Sequence, residues 1–214
     1  MRRHLPPIAA AAAAIVLLSG LARGAFAAEP AAATAFLDAW AKVDSYTDTI
    51  VSHEVKGTQT EDRTYHFAYL KPHYARIDII DGPGKGGGAV WAGGDTVHGH
   101  QGGFLSGIKL QVSIHDGRAV SLRGDTIDYA SFESAAQQIK AAKDITQGTT
   151  AGLDSVTITY PAGAADGVTK RVIAFSKTTH LPAERISYAG DQVVKDEKYS
   201  DIKLNVGLKP DDFQ

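Results

Sequence analysis

The chain has 214 residues, 43% of them hydrophobic and 21% charged, and its formal net charge at pH 7 is −2. This length and composition predict one globular domain with a substantial core. The slight acidic excess argues against nucleic-acid binding, which needs clustered lysine and arginine. The chain contains no cysteine, so its stability must come from the core and not from disulfides.

The N-terminal residues have the features of a cleavable export signal. Two arginines precede an apolar, alanine-rich run over residues 8–18, and the small residues Ala25 and Ala27 follow around Phe26. We predict that residues 1–27 are a signal peptide and that 28–214 form a single mature domain. The apolar run is too short for a stable transmembrane anchor. The periplasm is therefore the expected location.

One short helix is followed by a series of strands. Residues 31–43 carry apolar side chains at spacings of three and four, which predicts a helix. Alternating patterns between turn signals predict antiparallel strands at 49–57, 63–72, 74–82, two within 87–100, and then 154–161, 168–177, 183–190 and 192–204. A second helix is predicted at 131–144, with Ser131 as its N-cap. The fold class is therefore mainly β, with an α+β arrangement.

The stretch DGPGKGGG at residues 81–88 contains a G-x-G-x-x-G spacing. A dinucleotide site would need a helix to begin directly after these glycines. Instead, the β-branched and aromatic residues of AVW follow. We therefore predict a hairpin loop at this position and no nucleotide cofactor.

Two histidines suggest a different chemistry. His98 and His100 would lie on one face of a strand, where they could share a metal ion. No further ligand pattern accompanies them, and the chain has no G-x-S-x-G motif. We predict no metal site, no cofactor, no catalytic residues and no enzymatic activity. A small metal-dependent hydrolase that uses these two histidines is the least favoured alternative.

Large apolar side chains recur at alternate positions of the predicted strands. On a curved sheet they could form either a filled core or the wall of an apolar cavity, and alternation alone does not distinguish the two. The residues predicted to line a ligand cavity are Tyr65, Phe67, Tyr69, Ile77, Ile79, Trp91, Ile173 and Phe175.

The order of these pieces resembles the LolA/LolB-like superfamily of periplasmic lipoprotein carriers and outer-membrane receptors. The matching motifs are WAKVDSY (40–46), YHFAYLKPHYARIDI (65–79), GGDTVHGH (93–100) and YSDIKLNVGLKPDDF (199–213). The resemblance covers nearly all of the mature chain. It implies a curved antiparallel sheet of about eleven strands that forms a half-open β-barrel, with helices packed as a lid over an apolar cavity.

The resemblance also implies a function. It predicts a periplasmic carrier that binds lipid or acyl chains, in lipoprotein or lipid trafficking to the outer membrane. The expected partner is a lipid or an acylated protein, with no nucleic acid and no membrane-spanning segment. The alternative is an envelope sensor or scaffold domain that binds a protein partner. One residue departs from the family pattern, because Glu54 stands where the carriers have a basic residue on the first strand.

Overall fold

The computed structural model describes residues 30–103, 108–161 and 166–214, so the predicted signal peptide at 1–27 lies outside the described residues. Within these ranges, no helix is long and apolar enough to cross a membrane. The α-helices are α1 (Ala31–Trp40) and α2 (Phe132–Ala141), and short 3-10 helices lie at Ile127–Ala130 and Pro210–Phe213. The strands are β1 (Ser45–Lys56), β2 (Gln59–Leu70), β3 (Tyr74–Asp81), β4 (Gly88–Trp91), β5 (Thr96–His100), β6 (Lys109–Ser113), β7 (Ile145–Thr150), β8 (Leu153–Thr159), β9 (Lys170–Phe175), β10 (Pro182–Ala189) and β11 (Gln192–Leu204).

All eleven described strands belong to one antiparallel sheet. Their order is β6-β5-β4-β3-β2-β1-β11-β10-β9-β8-β7, and the sheet is not closed. Two meanders of consecutive strands are thus joined where β1 pairs with β11, with Ile50 opposite Tyr199. This arrangement confirms the predicted half-open barrel of about eleven strands with helices packed on it.

The two helices pack at one end of the concave side of the sheet, and their side chains fill that end. Helix α1 buries Phe36 and Trp40, and the ring of Phe36 stacks on Phe175 of β9 with centroids 5.2 Å apart. Helix α2 buries Phe132, whose ring stacks on Tyr46 of β1 at 4.3 Å. Trp40 also meets Phe132 edge-to-face at 6.0 Å. This end of the interior is therefore a packed aromatic core.

Helix α2 begins at the predicted cap residue. The Ser131 hydroxyl accepts a hydrogen bond from the Ser134 backbone N–H at 3.0 Å and donates one to the Asp128 carbonyl at 2.7 Å. Ser131 therefore joins the 3-10 helix at Ile127–Ala130 to the first turn of α2. The N-cap prediction is confirmed.

Replacing Ser131 by alanine is expected to lower the free energy of unfolding by about 1 kcal/mol, because the capping acceptor is lost. Chemical denaturation followed by circular dichroism measures the change. Ser134→Ala, one turn further on, is the control, and we expect it to change stability by less than about 0.5 kcal/mol. Equal effects of the two variants would contradict the capping role.

The stretch at residues 81–88 is a hairpin loop between β3 and β4, as predicted. Backbone hydrogen bonds link Ile79 to both Gly86 and Gly87 across it, and β4 begins directly at Gly88. Gly82 has a φ of +87°, and a Cβ there would lie 2.1 Å from the Asp62 carbonyl oxygen. Glycine is therefore required at this position by backbone geometry and by close packing.

Two described strands, β6 and β7, were not predicted from the sequence. They are the outermost strands of the sheet, and most of their side chains are exposed. The sequence of β7 lacks the alternation that marks β2 and β3. The sequence of β6 does alternate, but over only 5 residues with two apolar side chains, which is a weak signal. The helix prediction at 31–43 was also too long, since α1 ends at Trp40.

Candidate ligand-binding cavity

A cavity of about 630 Å³ lies on the concave side of the sheet, next to the packed aromatic core. This volume falls within the range of about 300–1,000 Å³ that is common for small-molecule sites. Strands β2, β3 and β4 form an apolar wall with Tyr65, Ile77, Ile79 and Ala89, and the 3-10 helix adds Ile127 and Ala130 to the apolar lining. The interior is therefore filled at one end and open at the other, which the sequence pattern could not show.

The cavity is bordered by loops and by a segment that crosses over the sheet. The hairpin loop at 81–88 contributes Gly84 and Lys85, and the turn after β5 contributes residues 101–103. Residues 117–130, which connect β6 to α2, supply much of the remaining lining. We call residues 117–130 the covering segment.

The floor of the cavity is a buried charged cluster centred on Lys195 of β11. Its ammonium lies 2.8 Å from Glu54 on the neighbouring strand β1, 2.7 Å from Asp125 of the covering segment and 3.3 Å from Glu197. Burial alone would lower the pKa of Lys195, but the carboxylates of Glu197, Asp125 and Glu54 raise it well above its ordinary value. Lys195 is therefore a charged ammonium in the folded protein.

A second buried cation extends this cluster. Arg185 of β10 is 1% exposed, and its Nε donates to Glu197 Oε2 at 2.7 Å. The ring of Tyr129, from the covering segment, lies 3.9 Å from the Arg185 guanidinium carbon and 4.4 Å from Lys195 Nζ. Cation–π contacts of this kind are stronger in a desolvated site, so Tyr129 helps to hold the covering segment against the sheet.

Glu54 and Arg123 attach the covering segment to the end of β1. The Arg123 backbone N–H donates to Glu54 Oε2 at 3.0 Å, and its guanidinium donates to the Val55 carbonyl at 2.7 Å. The same guanidinium donates to the Asp166 carbonyl at 2.6 Å. Glu54, the departure from the family pattern, is thus an anchor for this segment and the cross-strand partner of Lys195.

The structure places the eight predicted cavity residues in different surroundings. Three of them line the cavity: Tyr65, Ile77 and Ile79. Four are buried in the packed core: Phe67, Tyr69, Ile173 and Phe175. Trp91 is half-buried against that core, and its indole N–H donates to the Gly94 carbonyl at 2.8 Å. A ligand-binding role for any of the eight stays a prediction.

Sequence reasoning missed the charged cluster. The signal was present on β11, where Lys195 and Glu197 alternate with Tyr199 and therefore share its face. On β1, Glu54 follows Tyr46 and Ile50 in the same alternation. Charged residues at such positions are normally assigned to solvent, because burying them requires partners from other strands.

The two histidines of β5 are both exposed, and His100 borders the cavity. Among the described residues, no group of three His, Cys, Asp or Glu side chains is arranged to hold a metal ion. The structure therefore adds no further ligand to the pair formed by His98 and His100.

An open antiparallel sheet with helices packed on it is the arrangement that the resemblance of the sequence motifs implies. No family model and no curated protein sequence matches the chain. Among solved structures, the chain is similar to an uncharacterized conserved protein from Thermus thermophilus, with a TM-score of 0.53 and 10% identity over 85% of this chain and 91% of that one.

Two further solved structures are similar to the chain at lower TM-scores. A putative outer membrane lipoprotein-sorting protein domain from Vibrio parahaemolyticus has a TM-score of 0.47 and 13% identity, over 85% of this chain and 95% of that one. A LolA superfamily protein from Nitrosomonas europaea has a TM-score of 0.42 and 11% identity, over 85% and 97%. At these identities the likeness concerns the fold alone and assigns no activity.

Proposed function

We propose that the protein is a periplasmic carrier that binds a lipid or another acyl-chain ligand in the cavity on its concave side. The observation that supports this function is the cavity of about 630 Å³ with an apolar wall, which lies beside the packed aromatic core. Each methylene group moved from water into such a site contributes about 0.8 kcal/mol. A long chain can therefore be held without any covalent step.

The apolar wall favours a ligand over an empty cavity. Ile77, Ile79 and Ala89 lie beside the core and pack against it, and the two isoleucines are only half-buried. Contiguous apolar surface of this kind is costly to leave in water, and it is typical of ligand sites. An acyl chain on this wall would complete the burial that the aromatic core provides at the other end.

The proposal includes the route that the N-terminal sequence indicates. Residues 1–27 would be removed during export, and residues 28–214 would act as one domain in the periplasm. The donor and the acceptor of the ligand would then be membranes or acylated proteins of the cell envelope, which fits a role in lipid or lipoprotein trafficking to the outer membrane.

Replacing Ile79 by asparagine is expected to weaken binding of an uncharged fluorescent acyl-chain probe about tenfold, because the apolar wall loses a branched side chain and gains a polar one. Ile80→Asn is the matched control, since Ile80 is the next residue of β3 and is 38% exposed. Probe titration measures both affinities, and circular dichroism verifies that both variants fold.

The proposal is overturned if the purified protein carries no lipid by native mass spectrometry and by solvent extraction, and the probe also fails to bind. That result would favour the alternative of an envelope scaffold domain. Equal loss of affinity in the two isoleucine variants would instead place the probe outside the cavity and contradict the assigned site.

A further inference from the structure

We infer that the cavity selects amphiphiles whose polar group is a cationic hydrogen-bond donor, such as a primary ammonium on an alkyl or acyl body, over amphiphiles with an anionic headgroup. The inference rests on the proposed function, because it concerns the polar end of the ligand in the same cavity. It is based on the sign of the charges in the cavity and on one acceptor of its lining that has no hydrogen bond, Glu197 Oε1. The two Nη atoms of Arg185 also lack hydrogen bonds, but Arg185 lies behind the lining and under the ring of Tyr129, so they do not face the ligand.

The charged floor continues into Glu61 and Arg63 of β2, and we call the floor together with these two residues the deep wall of the cavity. Carboxylates are the more numerous charged groups of this deep wall. The four acidic residues there have side chains that are mostly removed from solvent: Glu54 at 5% exposure, Glu61 at 18%, Asp125 at 18% and Glu197 at 1%. The basic residues of the deep wall are Arg63 and Lys195, and Arg185 lies behind them. With Arg185 included, four carboxylates face three cations in the described deep wall, which is an excess of one negative charge.

The two basic groups that line the deep wall are already engaged with carboxylates. Lys195 contacts three of them, as described above. Arg63 donates from Nη2 to Glu61 Oε2 at 3.0 Å and from Nε to the Pro83 carbonyl at 2.9 Å. An anionic headgroup would have to displace one of these partners and would meet the remaining carboxylates at close range, which is unfavourable at low dielectric.

One buried carboxylate oxygen remains open to a donor. Glu197 is fully buried and lines the cavity, and its Oε1 accepts no hydrogen bond from any residue that the structure describes. The oxygen lies 3.3 Å from Lys195 Nζ, which is within ion-pair distance, but the two groups do not form a hydrogen bond. Unsatisfied buried acceptors are rare and unfavourable, so a ligand N–H that reaches this oxygen would be stabilised.

The pKa of the Glu61 carboxyl is raised mainly by burial. The charges of Arg63 and Lys195 oppose this increase, and repulsion from the Glu54 carboxylate adds to it. A cationic headgroup near Glu61 and Glu54 would relieve this repulsion, whereas an anionic one would increase it.

The remaining basic groups lie at the rim and are paired. Lys85 Nζ is 3.3 Å from Asp81, and Arg118 Nη2 is 2.8 Å from Asp116. The Lys85 and Arg118 side chains are 67% and 57% exposed, so solvent and salt screen their attraction for an anion. The exposed imidazole of His100 is also at the rim.

The test compares competitors that share one saturated chain and differ only in the end group. A primary alkylamine, the matching alcohol and the matching carboxylate each displace the uncharged fluorescent acyl-chain probe at pH 7, where the amine is protonated and the carboxylate is ionised. We expect the amine to compete at about tenfold lower concentration than the carboxylate, with the alcohol between them.

Glu61→Gln is expected to reduce the preference for the amine to about threefold or less, since it removes one charge without changing the shape of the side chain. Asp62→Asn is the matched control, because Asp62 is the next residue and its side chain is 79% exposed. This control is expected to keep the full preference.

The proposed function and the inference about the headgroup charge can fail separately. Failure of the probe to bind overturns the proposed function and the inference with it. Normal binding of the probe, together with a carboxylate that competes as well as the amine, overturns only the inference. The inference is also overturned if neither Glu61→Gln nor Asp62→Asn changes the amine preference. The preference would then not arise from the deep wall.

Discussion

Replacing Lys195 by methionine is expected to lower the free energy of unfolding by about 3–5 kcal/mol, the usual cost of removing one partner from a buried ion cluster. The change would leave Glu54, Asp125 and Glu197 close together with their shared ammonium gone. Methionine preserves most of the volume of the lysine stem, so the expected loss reflects uncompensated charge and not a cavity.

Lys198→Met provides the matched control for this substitution. Lys198 lies on the same strand and also has two acidic neighbours, Glu184 at 3.7 Å and Asp196 at 3.5 Å, but its side chain is 62% exposed. Exposed ion pairs contribute about 0–1 kcal/mol, so little change is expected. Guanidinium chloride denaturation of both variants measures the difference. A loss below about 1 kcal/mol for Lys195→Met would show that the cluster contributes little to stability.

Replacing Asp48 by asparagine is expected to raise the free energy of unfolding at pH 7 by about 1–3 kcal/mol, because the cost of burying an ionisable carboxyl without partners is removed. Asp48 is 3% exposed on β1, and neither of its carboxyl oxygens has a hydrogen-bond partner in the part of the chain that the structure describes. Burial, reinforced by the charge of Glu197, raises the pKa of the Asp48 carboxyl well above its usual range.

The sign of the pH dependence follows from this elevated pKa. The unfolded chain ionises Asp48 near pH 4, whereas the folded protein resists ionisation, so the contribution of Asp48 to the stability of the wild type decreases as the pH rises above about 4. The asparagine variant lacks this loss. The two proteins should therefore have similar stability below about pH 4 and diverge as the pH increases.

Denaturation curves between pH 4 and 8 measure this divergence. Asp38→Asn, on the exposed face of α1, is the control and should follow the wild type throughout. A gap between wild type and Asp48→Asn that is constant with pH, or a destabilised variant at pH 7, would contradict the assignment of a buried, raised pKa to Asp48.

The sequence predicts most of the sheet because apolar alternation is strong wherever a strand faces the core. On β2, Tyr65, Phe67 and Tyr69 are all buried as their alternation indicates. The same signal cannot separate a packed ring from one that faces a cavity. That outcome depends on α2, which places Phe132 against Tyr46 from 86 residues away, and no local pattern contains this contact.

The charged floor could not be predicted for a related reason. The partners of Lys195 come from β1, from the covering segment and from its own strand, and each pair is defined only by sheet register and by the path of residues 117–130. In the sequence, Glu54 and Lys195 are charged residues, and such residues are normally assigned to solvent. Their burial becomes visible only when β1 and β11 are neighbours.

The pairing of β1 with β11 also has a consequence for the order of folding. Each meander can form from strands that are close in sequence, but the contact that joins them spans 161 residues between Asp44 and Asn205. Closing such a long segment is slow, because its entropy is lost before the pairing is gained. The concave interior, with its buried charges, requires the pairing of β1 with β11, and we expect this pairing to be a late step of folding.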